Sequence, residues 1–346
     1  MFLQEVFFVA QGIRLAIVGA TGAVGQEMMK ILEERDFPVK ELVCLADPRE
    51  AGTKVKFKGE ELIVRGANEE AFKNVDVALF AVGSEVSQML APYANKNNCV
   101  VIDNSFAFRL DEEVPLVVPE VNPEDIGLHK GIIANPNCST IIMTVAINPI
   151  YKAFGLKRVV VSTYQAVSGA GKAGIEELDL HSKAYIKGEK LEPEVFQHEI
   201  AFNLIPHIDV FVEDDYTKEE MKMVWEARRI MHAPDLKIAA TAVRVPVFRS
   251  HSESINLDLE KPATAAEVRQ VLENAPGIIV QDDIKNNVYP MPLFTSDTDE
   301  VYVGRIRKDI SSDNGVAIWA VADQIRKGAA TNSIQIAEIV VEKNLY

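Results

Sequence analysis

A strand that runs into three evenly spaced glycines, and from them into a helix, limits this chain more than any other stretch of it. Arg14-Leu15-Ala16-Ile17-Val18 reads as a buried strand. Gly19-Ala20-Thr21-Gly22-Ala23-Val24-Gly25 follows at once, and Gln26 to Glu34 then carries Met28, Met29, Ile31 and Leu32 at helical spacing. Glycine lets the backbone turn tightly and approach a pyrophosphate, which rests on the unpaired N–H groups of the helix start. The spacing is a variant of the commoner dinucleotide fingerprint. A tight turn without a ligand is the bland alternative, and the strand–turn–helix setting favours nucleotide binding. At the end of a second strand an acidic residue ordinarily binds ribose hydroxyls, whereas Arg there accommodates a 2′-phosphate. This chain offers both, in Asp47 and Arg49, with Glu50 next. Two carboxylates would repel a 2′-phosphate, so these residues lean toward NAD or dual use.

The remaining first third continues the pattern. Glu41 to Ala46, Val75 to Val82 and Cys99 to Asp103 are further short apolar runs separated by helical segments. Such alternation indicates a parallel sheet with crossover helices. After residue 140 the texture changes. Leu156 to Gln165, Ala239 to Val247, Ser254 to Leu259, Val301 to Ile306 and Gly315 to Ala322 alternate apolar with polar residues, which predicts a largely antiparallel sheet with one solvated face. Ala329 to Lys343 reads as a helix that returns to the first domain. The expected organisation is residues 1–136 with 326–346 as a dinucleotide-binding domain and 137–325 as a second, α+β domain. A length of 346 residues accommodates two domains.

Charge and cysteine content exclude several classes. The net charge of −15 disfavours a nucleic-acid partner. No apolar run reaches about 18 residues, so no membrane span is expected. Met1 to Ala10 is apolar but short and carries Glu5, which makes it a poor signal peptide and an extension leading into the first strand. The three cysteines, Cys44, Cys99 and Cys138, form no CxxC or metal spacing, so no metal is expected and a reducing cytoplasm is.

Cys138 stands in Asn135-Pro136-Asn137-Cys138-Ser139-Thr140, before a run apolar enough for a buried helix. A cysteine at a helix N-terminus is expected to have a lowered pKa and to be a better nucleophile. An inert buried cysteine is the competing reading. A thiolate nucleophile also needs a partner group to remove and relay protons. Of the six histidines, His251 lies in a polar Ser250-His251-Ser252-Glu253-Ser254 stretch between two strand-like runs, placing it at a strand edge or turn. Arg244, Arg109 and Lys222 are candidate anion ligands, and Glu219 lies three residues before Lys222 on a predicted helix. Taken alone, each reads more readily as a solvated ion pair.

Taken together, the stretches Gly19 to Gly25, Asp103-Asn104-Ser105, Val117 to Val121, Asn135 to Thr140, Ser162 to Gly171, Glu219 to Lys222, His251 to Ser254 and Val303 to Arg307 closely resemble the bacterial aspartate-β-semialdehyde dehydrogenases, from about residue 13 to the C-terminus. The resemblance implies a Rossmann-type α/β domain joined to an α+β catalytic and dimerisation domain, as in glyceraldehyde-phosphate dehydrogenase. It implies that Cys138 is the acyl-forming nucleophile, His251 the acid/base and Gln165 an orienting residue, with Asn137 beside the oxyanion. It implies that Arg244 grips the substrate carboxylate and Glu219 its amino group, while Arg109, Lys222 and Asn104 bind phosphate. Thr21, Gly22, Ala23, Val24, Arg49, Glu50, Ser168, Gly169 and Gln324 would line an NADP(H) site in a homodimer or homotetramer. The family often has Ser-Ala-Arg-Ser where this chain has Asp47-Pro48-Arg49-Glu50, which leaves NAD(H) open. N-acetyl-glutamyl-phosphate reductase is the nearest alternative, but its cysteine usually sits in Pro-Gly-Cys-Tyr. A catalytically silent regulator is opposed by the intact Cys138, Gln165, Arg244 and His251.

Overall fold

The structure is a computed structural model and describes residues 12–346; the N-terminal extension read from the sequence lies outside them. The first half contains β1 (Ile13–Val18), α1 (Ala23–Glu34), β2 (Val39–Ala46), a small hairpin of β3 (Lys54–Phe57) and β4 (Glu60–Ile63), β5 (Arg65–Gly66), β6 (Val77–Phe80), α2 (Ser84–Lys96), β7 (Val100–Asp103) and β8 (Ile132–Ala134). Six of these strands form one sheet in the order β5-β2-β1-β6-β7-β8, with every pairing parallel. Parallel strands are covered on both faces, which is why they read as continuous apolar runs. Leu15 and Ile17 pack on one face with Met28 and Ile31 of α1, and Ala16 and Val18 on the other with Leu90 and Ala94 of α2. The chain order reverses between β2 and β6 on either side of β1, so a crevice opens beyond the carboxyl end of β1.

The second half contains α3 (Cys138–Phe154), β9 (Leu156–Gln165), α4 (Gly171–Lys187), α5 (Lys218–Ile230), β10 (Lys237–Arg244), β11 (His251–Leu259), α6 (Ala265–Glu273), β12 (Ile278–Val280), α7 (Pro292–Thr295), β13 (Val301–Asp309), β14 (Gly315–Ala322) and α8 (Thr331–Glu342). Its sheet runs β10-β9-β11-β14-β13-β12. The three central pairings are antiparallel, as the alternating sequence predicts, whereas β10 with β9 and β12 with β13 are parallel. One face packs on α3, α5 and α6 through residues such as Ile142, Met223, Val268 and Ile255.

Of the element boundaries that differ from the sequence reading, two lie at the site. β10 stops at Arg244 instead of Val247, and Pro246 just beyond has no N–H to continue a ladder. β11 starts at His251, which is paired with Ala322, so this histidine opens a central strand and is not in a turn. Before α8 a wide turn, Arg326–Ala330, brings the chain back beneath α1. Ile334, Ile336 and Val340 of α8 share the core that holds Leu15 and Met28.

Candidate active site

β8 delivers the chain to Asn137, whose extended backbone and side chain cap α3: its Oδ1 accepts the Thr140 N–H at 3.2 Å. Cys138 is therefore the first residue of α3, partly exposed on the wall of a cavity of about 430 Å³. Val24, Asn104, Arg109, Gln165, Ser168, Gly169, Glu219, Lys222, Arg244 and Gln324 line the same cavity. Residues from the second sheet, from α1, α3 and α5, and from the loops after β7, β9 and β14 thus meet at one thiol. The expected lowering of the thiol pKa is not what this environment produces. Burial pushes Cys138 up to about 12 and the Glu219 carboxylate adds to it, against the pull of Arg109, Arg244 and Lys222. Desolvation of the thiolate outweighs the helix terminus and the cations.

Glu219 organises the cavity floor. Its Oε1 accepts the Asn137 amide at 2.9 Å and the Gln165 amide at 3.1 Å, and its Oε2 accepts Lys222 at 3.0 Å. Burial opposes its charge, but Lys222 and those two amides hold it down to about 2, so it stays ionised. Lys222 also donates to Asp209 at 2.7 Å and lies over the Phe106 ring. Burial works against its charge as well, yet Glu219 and Asp209 keep its pKa above the ordinary lysine value. Asn137 is engaged at both ends of its amide, as a cap and as a Glu219 ligand. Asn104 is similarly committed: its Nδ2 donates to the Phe80 carbonyl at 2.8 Å and its Oδ1 accepts from Asn135 and Ser333.

The cations retain free donors. Arg109 is buried, with Nη2 on the Asn104 carbonyl at 2.6 Å, Nη1 on Glu226 at 3.2 Å, and an Nε without a partner. That Nε has no exposed surface, whereas each Nη keeps a second N–H that an anion could take. Arg244 spends Nη1 on the Ala166 carbonyl at 2.8 Å and packs over Phe196. Burial lowers its pKa. A side chain at Gly169 would come within 2.8 Å of Arg244 Nη1, so glycine there keeps the guanidinium in reach of the cavity.

His251 lies behind the wall. It is fully buried, its Nδ1 accepts the Ala166 N–H at 3.0 Å, and its Nε2 is 3.4 Å from the Gln165 amide. Burial, with Arg244 nearby, pushes it down to about 3 against the pull of Glu219, so the ring is neutral at pH 7.

The glycine-rich turn stands at the crevice mouth. Gly19 has φ 91°, and a Cβ there would collide with the Ala81 carbonyl oxygen. Gly22 caps α1 without a side-chain bond, which leaves the first-turn N–H groups of Ala23 and Val24 available to a phosphate. Asp47, Arg49, Glu50 and Thr21 lie outside the cavity wall, near the surface. Asp47 takes Arg49 Nε at 2.9 Å and Nη2 at 2.8 Å, and Glu50 accepts the Thr21 hydroxyl at 2.8 Å. Gln324 accepts the Ser250 N–H at 2.8 Å and donates to the Ser168 hydroxyl. Sequence reasoning missed Asp209, Glu226 and Gly328. A Cβ at Gly328 would lie 2.9 Å from the Cβ of Cys138, so the wide turn before α8 can approach the nucleophile only as glycine. For Glu226 a signal existed: it follows Glu219 and Lys222 at i+7 and i+4, on their helix face.

Comparison with known proteins agrees with this geometry. The model of the semialdehyde dehydrogenase NAD-binding domain matches residues 14–129, and that of the semialdehyde dehydrogenase dimerisation domain matches residues 147–327. The aspartate-semialdehyde dehydrogenase of Aquifex aeolicus is 56% identical over 338 residues, covering 96% of this chain and 99% of that protein. The Bacillus subtilis enzyme of the same name is 51% identical over 343 residues, 97% of this chain and 99% of its own. Among solved structures, aspartate semialdehyde dehydrogenase II of Vibrio cholerae, complexed with ASA, superposes with TM-score 0.94 at 47% identity, over 96% of this chain and 99% of that one. The Candida albicans enzyme with NADP gives TM-score 0.75 at 26% identity, over 97% and 100%. With a dinucleotide-type crevice, a cysteine heading a buried helix and near-complete overlap with these relatives, the chain is a member of the aspartate-semialdehyde dehydrogenase family and an oxidoreductase.

Proposed function

We propose that the protein catalyses the reversible, phosphate-dependent oxidation of L-aspartate 4-semialdehyde to L-4-aspartyl phosphate through a thioester on Cys138, with biosynthetic flux in the reductive direction toward lysine, diaminopimelate, threonine and methionine. The observation that carries this reading is one thiol at a helix start, in a cavity that also holds Arg109, Lys222 and Arg244. The substrate brings a carboxylate and a phosphate, and buried guanidinium and ammonium groups are suited to hold them. Arg244 takes the carboxylate, Glu219 the amino group, and Arg109 with Lys222 the phosphate. Asn104 acts by supporting this wall, since its amide is already engaged.

Cys138 attacks the carbonyl carbon, and sulfur is both a good nucleophile and a good leaving group for the two half-reactions. Backbone N–H groups at the start of α3 receive the developing oxyanion, and Gln165, fixed by Glu219, orients it. In the reductive direction His251 donates its Nε2–H, the tautomer that the Ala166 N–H on Nδ1 imposes, to the thiohemiacetal oxygen, and in oxidation it takes that proton back as hydride leaves. The bound dinucleotide supplies or accepts the hydride. Its pyrophosphate fits the glycine turn, and Ser168, Gly169 and Gln324 stand where the crevice meets the thiol. The Candida albicans relative carries NADP. In this chain Asp47 engages Arg49 and adds negative charge beside it, which supports acceptance of NAD(H) alongside NADP(H). A homodimer or homotetramer, assembled through the second domain in the cytoplasm, completes the reading.

The test is dinucleotide absorbance with aspartate semialdehyde, with and without inorganic phosphate, with NADP+ and NAD+ run in parallel. Phosphate-dependent reduction is expected with at least one. Cys138→Ala should abolish it while dinucleotide binding persists. Absence of reduction by folded wild-type protein with either dinucleotide would overturn the assignment.

A further inference from the structure

Helix α5 turns three charged side chains to one face, buried Glu219 and Glu226 and half-buried Lys222. Glu226 is the deepest of them, with no exposed surface. Unlike the other two it does not line the cavity. Its Oε1 accepts Arg109 Nη1 at 3.2 Å, and its Oε2 accepts the Asn137 backbone N–H at 2.6 Å. One carboxylate thus joins a cation of the anion pocket to the residue that precedes Cys138. A buried carboxylate is expensive to desolvate, and an apolar side chain would pack α5 against α3 more cheaply. Packing therefore does not account for a glutamate at this position.

The geometry around Arg109 accounts for it. Both Nη atoms are held on fixed acceptors, one by the Asn104 carbonyl and one by Glu226, and each keeps a second N–H. Two anchors define the plane of the guanidinium, and a planar fork binds an oxyanion well only in one plane. We propose that Glu226 is the positioning residue that aims Arg109 at the incoming phosphate and ties that aim, through the Asn137 N–H, to the loop carrying the nucleophile. The proposal rests on the reading of Arg109 as a phosphate ligand given above. Glutamine at 226 has one acceptor oxygen where two donors need one each. The backbone donor cannot turn away, so the guanidinium is the group released.

The experiment varies inorganic phosphate in the oxidation of aspartate semialdehyde by wild type, Glu226→Gln, Arg109→Leu and the double variant. Glu226→Gln should raise the phosphate KM by about tenfold or more, the scale of one charge-assisted hydrogen bond. The KM values for semialdehyde and dinucleotide should move by less than about threefold. In the Arg109→Leu background the same change should add less than about twofold to the phosphate KM, because Glu226 then has nothing left to aim. Glu226→Asp, which keeps both oxygens on a shorter stem, should raise the phosphate KM selectively but less, and it carries the test if the glutamine variant does not fold. Parallel rises in all three KM values, or full additivity with Arg109→Leu, would show a merely structural ion pair and overturn the proposal. Wild-type turnover that ignores phosphate would instead count against Arg109 as a phosphate ligand, a separate outcome read before any variant is made.

Discussion

Cys138 combines a helix-terminal position with a thiol that burial and Glu219 hold high, at about 12. The unliganded protein therefore stores its nucleophile as the neutral thiol, and its reactivity depends on what enters the cavity. His251, held down to about 3, is neutral over the same range and gives no imidazolium to pair with a thiolate. The sign of the pH dependence follows. The thiolate fraction grows about tenfold per pH unit wherever the pH is below the thiol pKa. Alkylation of Cys138 in the unliganded protein, followed by mass spectrometry, should thus rise steadily from pH 7 to pH 10 without levelling. A plateau below pH 8 would show a preformed thiolate and contradict this electrostatic balance. Cys44 and Cys99 are buried and pushed up as well, so neither should compete.

At the scale of elements, the proposed function gives the short segment after β2 the task of distinguishing the adenosine ends of NAD and NADP. Asp47 caps the turn over Pro48–Glu50 by accepting the Arg49 N–H and also takes that residue's guanidinium. Asp47 is drawn far below the ordinary carboxylate range by Arg49 and remains charged. Exposed ion pairs are weak, so the segment's preference should be easily shifted. Asp47→Ser keeps a capping oxygen, removes one charge and frees Arg49. The ratio of kcat/KM for NADP to that for NAD should rise by about tenfold, the effect of one charge next to a phosphate. An unchanged ratio in steady-state assays would place the discrimination elsewhere.

For the whole molecule, the return of the C-terminal segment is fastened by charge as well as by apolar packing. Arg326 in the turn before α8 pairs with Glu27 and Glu34 of α1 and with Asp299. Lys327, fully buried, pairs with Glu120. Burial opposes ionisation of Asp299 and Glu120, but Arg326 and Lys327 respectively bring both below their ordinary values. With Glu219 at about 2, these carboxylates have folded-state pKa values beneath the unfolded ones. Their contribution is complete above the unfolded values of about 4 and is lost as the pH falls through the folded ones. Thermal midpoints should therefore begin to fall below about pH 6.5, where His251 takes up a proton only in the unfolded chain, and fall steeply from pH 4 toward pH 2. Arg326→Ala leaves acids uncompensated near the join and should cost about 3 kcal/mol in denaturant unfolding. A loss under about 0.5 kcal/mol would show that apolar contacts alone hold α8 in place.

The sequence alone determined the elements and the chemistry-bearing types. A strand, three glycines and a helix can meet in few ways, and apolar runs of strand length with crossover helices imply a parallel sheet because each local choice points the same way. Cys138, His251, Arg109, Lys222 and Arg244 stand out in the sequence because their neighbours repeat a family pattern. Tertiary structure decided what local pattern cannot carry. The thiol pKa was set by long-range burial and by Glu219, from a helix 81 residues away in the chain, and it ran opposite to the helix-terminus expectation. His251 became the first residue of a central strand because Ala322 pairs with it, and its ring was enclosed behind Gln165. Glu226 reads as one more solvated helical acid until α5 packs against α3. Burial and charge coupling are sums over the folded surroundings, and those surroundings exist only once distant segments have met.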